Sequence, residues 1–367
     1  MSRSAFLEVF TDATGGNPKL QTSGYLPQGA FPVIDQGKAE IAGYSDDASL
    51  LARVEPPVII FGDHTRVIKY VDHPFILGAD GTKVLRPING SDPRYLFHYL
   101  RSLEIPSAGY SRHYKFLKEV SIPVPLLNEQ RRIAAILDKA DEVRTKRRHA
   151  LAHLDVLAHS IFHSMFGDPI SNPMGWPIVR VGDALESAKY GSSEKAALVG
   201  TTPVLRMNNL TYGGQIDLSQ MKYLPGDVDE RFLVKPGDVL FNRTNSAELV
   251  GKTAVFMGPE PMAYAGYLVR LRTSASCRPH FLGTFMNLPS TKKTLRNMCK
   301  SIVGMANINA KEVQTIKMPL PPVEKQNDFE ARLMVISQLK DRHRAQLGEL
   351  DALFASLQHR AFRGELS

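Results

Sequence analysis

IPVPLLNEQ (Ile122–Gln130) lies over MPLPPVEKQ (Met318–Gln326) when the chain is shifted by 196 residues. The overlay runs without a gap to LDVLAHSIFHSMF (Leu154–Phe166) over LDALFASLQHRAF (Leu350–Phe362). Between 123 and 166 thirteen positions are identical: Pro123, Pro125, Gln130, Ala135, Leu137, Arg148, Leu151, Leu154, Asp155, Leu157, Ser160, His163 and Phe166. A gap-free match of that length marks a duplication. Both copies read as helices. Proline-rich stretches precede Asn128 and Glu324, and proline is tolerated only at or before the first helical turn, so each helix starts near there. Counting in sevens from Ile133 gives Ile133, Ala140, Arg147, Leu154 and Ile161, with Ile136, Val143, Ala150 and Leu157 as companions. Because 196 is a multiple of seven, the second copy keeps the frame with Phe329, Ile336, His343, Leu350 and Leu357, and Leu353 falls at a companion position. Apolar residues at this spacing want a partner helix, and each segment's expected partner is the other. At ~1.5 Å per residue, segments of about 35–40 residues reach roughly 55–60 Å. The cluster RTKRRH (Arg144–His149) interrupts the seam; it reads as a solvated face, with direct nucleic-acid contact as the other reading.

Working outward, the upstream halves are related more loosely. FPVIDQGK (Phe31–Lys38) resembles TPVLRMNN (Thr202–Asn209) at an offset of 171, VIIFGD (Val58–Asp63) resembles DVLFNR (Asp238–Arg243) at 180, and DPRYLFHYL (Asp92–Leu100) resembles RPHFLGTFM (Arg278–Met286) at 186. The growing offset means insertions accumulate in the second copy. Four blocks follow: a variable domain over 1–122, a helical spacer over 123–168, a second variable domain over 169–317 and a closing helical region over 318–367. The variable domains read as mixed α/β. Runs such as Val58–Phe61, Val67–Val71, Asp238–Phe241, Thr253–Met257 and Tyr267–Leu271 suit strands between Gly, Pro and Asn turns, and Arg94–Leu103 and Pro279–Met298 suit helices. The expected fold is α/β (α+β), with two similar domains separated and joined by two long helices that pair as an antiparallel coiled coil.

The chain has 367 residues, 43% hydrophobic and 22% charged, which is ordinary globular usage. No apolar run approaches the ~20 residues of a membrane span, and the N-terminus (MSRSAFLEVFTD) has no apolar core suited to a secretory signal. Two cysteines, Cys277 and Cys299, exclude a disulfide framework and fit a reducing cytoplasm. The net charge is +8, and it is uneven: residues 169–317 carry 18 Lys+Arg against 11 Asp+Glu, whereas residues 1–122 carry 13 of each. A polyanionic partner is therefore expected to meet mainly the second domain.

Catalytic patterns fall short. VGKT (Val250–Thr253) resembles the end of a Walker A loop, but Ser246 stands where its first glycine belongs. SDPRY (Ser91–Tyr95) is similar to the Asp-Pro-Pro-Tyr loop of adenine methyltransferases only faintly, because Arg94 replaces the second proline and no glycine-rich cofactor loop accompanies it. It reads better as a helix start, capped by Asp92 with Pro93 in the first turn. No lysine has an acidic residue two places before it, as nuclease sites of the Asp…[Asp/Glu]-x-Lys kind require. The eleven histidines show no metal spacing; His163 and His359 read as packing or surface residues. Catalytic and metal residues are expected to be absent.

The order PxPLLNEQRRIAAILDKADEVRTKRR…LDVLAHSIFHSMFGDP, then GWPIVRVGDAL, then MPLPPVEKQ…LDALFASLQHRAFRGEL resembles the specificity subunit of type I restriction-modification enzymes. KPGDVLFNRTNSAELVGKTAVF (Lys235–Phe256) is similar to the middle of a recognition domain in that family. The resemblance implies a non-catalytic subunit that reads a bipartite site in double-stranded DNA, one half per domain. It also implies docking of adenine-N6 methyltransferase subunits, two by the duplication, and of restriction/translocase subunits. S-adenosylmethionine, ATP and Mg are then expected on those partners and no cofactor on this chain. One departure is visible: the first domain begins almost at once with FLEVFTDATGG (Phe6–Gly16), with no counterpart of Trp176. The other readings are a non-catalytic oligomerisation scaffold with protein-binding domains, a subunit of a modification-only complex, and an enzyme, which would need a cofactor loop or metal carboxylates.

Base readout favours Arg on guanine and Asn or Gln on adenine, while phosphates want Lys and Arg. In the second domain the candidates are Arg206, Asn208, Asn209, Arg243, Asn245, Lys252, Lys300, Asn307 and Asn309. In the first they are Arg66, Lys69, Tyr110, Arg112, His113 and Lys115. Each is as readily an ordinary surface residue.

Overall fold

Val58–Gly62 and Val239–Asn242 are fully buried strands, and each half of the chain is built around one of them. The structure, a computed structural model, describes residues 2–88, 90–107, 109, 111–246, 248–302 and 305–366, with the side chains of residues 300–302 and 305 left aside. Two units result: residues 1–148 with 345–367, and residues 149–344.

In the first unit the central strand lies in an antiparallel sheet ordered Phe10–Asp12, Thr82–Pro87, Val58–Gly62, Ile68–Val71. In the second the order is Leu185–Tyr190, Leu268–Thr273, Val239–Asn242, Thr253–Val255. The registers agree as well. Ile59 faces Leu85 and Tyr70, while Val239 faces Leu271 and Val255. Burial on both faces explains why these strands read as continuous apolar runs. A second small sheet in each unit holds a parallel pair, Phe31–Ile34 beside Ile76–Gly78 and Thr202–Leu205 beside Met262–Tyr264. A two-stranded ladder recurs in each unit: Arg3–Ala5 pairs with Ser121–Pro123 as Ile178–Arg180 pairs with Lys317–Pro319. The lead strand of the first unit is thus present without a tryptophan. In the second, Trp176 donates its indole N–H to the Phe166 carbonyl at 3.1 Å.

The helix expected over Pro279–Met298 is two helices, Pro279–Asn287 and Pro289–Met298. Pro289 lacks the amide that would continue the first, so the chain restarts with proline in the opening turn. Pro93–Arg101 occupies the corresponding place in the first unit, and Asp92 caps it by accepting the Tyr95 amide at 2.9 Å.

The long helices span Leu127–Phe166 and Val323–Arg363, 40 and 41 residues, or about 60 Å each. Within each unit their segments run antiparallel. In the first, Arg144 Nε meets Asp351 at 2.7 Å and Arg132 donates to the Leu366 carbonyl. In the second, Lys340 meets Asp155 at 2.8 Å, and the Phe329 ring lies 5.7 Å from Phe162 and 5.4 Å from Phe166. Arg144 and Lys340 are repeat counterparts, as are Asp351 and Asp155, so one ion pair occurs twice. The basic cluster is therefore not simply a solvated face: Arg144 and Arg148 both bind Asp351 across the seam.

Of the expected pairing positions, Ile133, Phe329 and Ile336 are buried, and Ile136, Ala140, Leu154, Ile161, Leu350 and Leu357 are half-buried. Val143, Leu157 and Leu353 are 36%, 39% and 52% exposed and do not fill the seam. The seven-residue frame counts periodicity but cannot see that each helix end rotates toward its own domain. There Leu137, Phe354 and Ala361 in one unit, and Phe162, Phe166 and Phe329 in the other, enter the domain core. Among the described residues, no helix is long and apolar enough to cross a membrane.

Candidate nucleic-acid interface

Gln130 and Gln326, identical in the repeat, are 1% and 0% exposed and make the same joint. Gln130 accepts the Asp92 amide through Oε1 and donates from Nε2 to the Pro125 carbonyl, both at 2.8 Å. Gln326 accepts the Arg278 amide and donates to the Pro321 carbonyl, both at 2.8 Å, with a further bond to the Ser276 carbonyl. Each glutamine satisfies an amide at the start of the domain helix and a carbonyl before the long helix. These bonds tie the start of the domain helix to the start of the long helix. The repeat contained this residue, but periodicity and charge gave it no role.

The candidate reading residues sit on different elements: Lys69 in the Ile68–Val71 strand, Lys115 in the Tyr114–Lys118 helix, Asn245, Lys300 and Asn307 in short strands, and Arg66, Arg112, His113, Arg206, Arg243, Lys252 and Asn309 between elements. In the second unit Arg243 follows the central strand. Its guanidinium sits over the Tyr190 ring at 4.9 Å and donates to the Gly266 carbonyl at 3.5 Å. Its Nε has no acceptor among the described residues. Beside it, Thr244–Asn245 pairs with Met305–Asn307, which pairs with Lys300–Ile302. Asn245 and Asn307 are thereby gathered on one small three-stranded sheet with Arg243 next to it in the chain, all three half-buried, and the Thr244 hydroxyl is 3.3 Å from the Asn307 amide oxygen. Arg206 and Asn208 open the adjacent loop: Asn208 is exposed, and Arg206 donates to the Gln220 carbonyl at 2.6 Å. The Lys300 side chain lies outside the described residues.

Three second-domain candidates do other work. Asn209, 1% exposed, donates to the Asp217 carbonyl and accepts the Arg206 amide. Lys252, 8% exposed, reaches the Met207 carbonyl at 2.8 Å, and burial lowers its pKa. Asn309 caps the Ala310–Gln314 helix in a reciprocal box with Glu312. In these three, side-chain valence is spent inside the fold, where no groove can reach it. The basic excess of residues 169–317 is likewise partly internal. Lys252, Arg270 and Lys292 are buried, and Lys292 donates to the Gly251 carbonyl with its pKa pushed down to about 7 by burial and by nearby Arg296 and Lys252.

In the first unit Arg66, Arg112 and Lys115 are exposed, and Arg66 donates to the Ile105 carbonyl at 2.9 Å. Lys69, 2% exposed, is held by the Ala39 carbonyl and lies 3.6 Å from Asp35. His113 is 1% exposed, with Nδ1 2.9 Å from the Asp63 carbonyl. Both belong to the interior. Tyr110 lies outside the described residues. Arg66, Arg112 and Lys115 thus remain as surface candidates, joined by Asn208, Arg243, Asn245 and Asn307 in the second unit. No cluster of three or more His, Cys, Asp or Glu suited to a metal ion occurs among the described residues.

The family described as the type I restriction modification DNA specificity domain matches residues 17–152 and again 173–345. The chain belongs to this family. It is similar to the EcoKI type I restriction enzyme specificity subunit of Escherichia coli (strain K12), 25% identical over 272 residues, which cover 68% of this chain and 58% of that protein. It is also similar to the putative MjaX specificity subunit of Methanocaldococcus jannaschii, 26% identical over 209 residues, covering 52% of this chain and 48% of that protein. The match thus spans about half the length of these curated relatives. The type I restriction-modification S subunit from M. genitalium shares the fold over 98% of this chain and 96% of its own, with a TM-score of 0.59 at 14% identity. A chain from a structure of type I R-M complex assembly and conformational transition does so over 100% and 98%, with a TM-score of 0.55 at 20% identity.

Proposed function

We propose that this chain is the DNA-reading subunit of a type I restriction-modification complex, each unit reading one half of a bipartite site. The observation that carries this reading is a scaffold present twice, with the same glutamine joint and strand order, ending in unlike loops. Two readers on matched supports can address two different half-sites, while helices of about 60 Å exceed the ~34 Å of one DNA turn. The chain contributes recognition and assembly; adenine-N6 methylation and DNA cleavage belong to partner subunits, which would carry S-adenosylmethionine, ATP and Mg. A cytoplasmic site of action follows from that role.

Two copies of the methyltransferase subunit are the expected stoichiometry. Exposed apolar residues recur at the repeat offset, Val143 with Leu339 and Leu157 with Leu353. A duplicated apolar surface suits one partner bound twice.

The test is a map of N6-methyladenine in cells expressing this chain with its methyltransferase partner, against cells lacking this chain. A new bipartite motif with a fixed gap is expected, and exchanging residues 1–122 should change one half of it. No new motif despite complex formation would favour a protein-binding scaffold. Arg243→Ala should weaken recognition of one half-site by about 1–3 kcal/mol, the value of one bidentate base contact; unchanged binding and site preference would remove Arg243 from the reader.

A further inference from the structure

Arg243 has a fixed backbone and an uncommitted outer end. Its amide donates to the Tyr267 carbonyl at 3.0 Å, and its carbonyl accepts the Ile308 amide at 2.9 Å. Along the side chain, Nε is enclosed and Nη1 lies 3.5 Å from the Gly266 carbonyl. Nη2 makes no hydrogen bond among the described residues and is not enclosed. What holds the guanidinium is the Tyr190 ring, 4.9 Å beneath it. A ring attracts a cation without consuming any of its N–H donors. Arg272 of the same unit shows the alternative: Asp238 takes its Nε and Nη2 at 2.8 and 2.9 Å, and both donors are spent.

Tyr190 is itself braced. Its hydroxyl accepts the Ala310 amide at 2.9 Å, and its carbonyl accepts the Tyr264 hydroxyl at 3.2 Å. The next residue is Gly191, where a Cβ would collide with the Tyr264 carbonyl oxygen, so this close approach requires glycine. Yet Tyr190 is 43% exposed. An aromatic side chain anchored by its hydroxyl and open on its flank is a platform rather than a core residue.

The first unit lacks both members of the pair. Ile59 faces Leu85, which faces Asp12; Val239 faces Leu271, which faces Ala188. Two residues further on stand Thr14 and Tyr190, and after the central strands stand Asp63 and Arg243. Thr14 spends its hydroxyl on Asp12 and on the Val84 amide, and Asp63 is buried. Platform and cation are thus present together in one unit and absent together from the other.

We infer that Tyr190 is a positioning residue for base reading, its ring presenting the Arg243 guanidinium with donors unspent to a guanine of one half-site. The inference rests on the proposed reading of DNA by the second unit. A long side chain loses rotamer freedom on binding, and one already held on a ring loses less.

The test uses the full chain with its methyltransferase partner, on duplexes carrying the mapped motif and single base-pair changes in each half. Arg243→Ala should relax the preference for G·C at one position. Tyr190→Leu and Tyr190→Thr, the latter installing the first unit's residue, should relax the same position about two- to five-fold, the worth of an exposed cation–π contact. Preferences in the other half should stay as in the wild type. Tyr190→Phe restores the ring without the hydroxyl and should restore the preference. The double variant Tyr190→Leu with Arg243→Ala should discriminate no worse than Arg243→Ala alone. If Arg243→Ala relaxes a position that the folded Leu or Thr variant leaves intact, Tyr190 has no positioning role. Additive losses in the double variant would make Tyr190 a separate contact and overturn the inference, as would a Phe variant as impaired as Leu. An inert Arg243→Ala would remove Arg243 from the reader and this inference with it, while leaving DNA reading by the unit standing; absence of any sequence preference would overturn both.

Discussion

Asp63 and Arg243 hold the same place, the residue after the central strand, in the two units. In both, the backbone carbonyl of this residue accepts an amide from the segment returning to the last edge strand, His113 in one and Ile308 in the other. The side chains then part company. Asp63 is 4% exposed, and its carboxylate accepts the Tyr114 amide at 2.7 Å, so it is consumed in starting a helix. Arg243 lies over Tyr190 with part of its donor set unused, beside the paired strands Lys300–Ile302 and Met305–Asn307. The corresponding residues of the first unit, 104–111, carry no strand among those described. Backbone geometry is thus common property of the duplicated scaffold, while hydrogen-bonding capacity at the loop tips is what diverged. Two supports alike in their bonds and unlike in their free valence fit the proposed reading of two different half-sites.

The comparison can be broken most forcefully at its shared core. Phe329→Ala should destabilise the protein by about 3–5 kcal/mol, because it empties a ring site between Phe162 and Phe166. A loss below 1 kcal/mol in denaturant unfolding would mean that this aromatic cluster does not hold helix to domain. The glutamine joint predicts something sharper. Gln130→Ala and Gln326→Ala should each cost about 1–3 kcal/mol, since each strands a buried amide. Similar losses from the two would support equivalent joints; a marked asymmetry would show that the repeat preserved the residue but not its work.

A further effect is electrostatic and peculiar to the second unit. The pKa of Lys292 falls to about 7 in the folded protein from an ordinary value of 10.5. Between those limits the unfolded chain holds a proton that the folded chain has released, so stability should rise with pH, by at most about 1.4 kcal/mol per unit. Lys292→Met should flatten that slope above pH 7 and add stability at and below neutrality. An unaltered pH profile of unfolding would show that Lys292 keeps its charge by some other route.

Much of the architecture was legible because the duplication could be counted. Proline-rich starts place both long helices within a residue or two of Leu127 and Val323, and the offsets of 171, 180 and 186 land on equivalent strands and helices. The helix seam was only half legible. Val143, Leu157 and Leu353 satisfy the seven-residue frame yet lie exposed, because periodicity reports which residues share a stripe and not which body meets it. Candidate DNA contacts were less legible still. Residue type alone could not separate Arg243, with donors to spare, from Lys69, Lys252, Asn209 and His113, whose polar atoms hold the fold's own carbonyls or amides.

By itself the sequence determined that there are two related copies, that long helices join them, and that the loops between had diverged. Those are facts of order and spacing along the chain, carried by covalent neighbours. Tertiary structure alone decided which polar groups remain free and which glutamine bolts a domain to its helix. Each of these depends on whether a partner atom arrives from elsewhere in the chain within about 3 Å, and spacing along the sequence does not encode that.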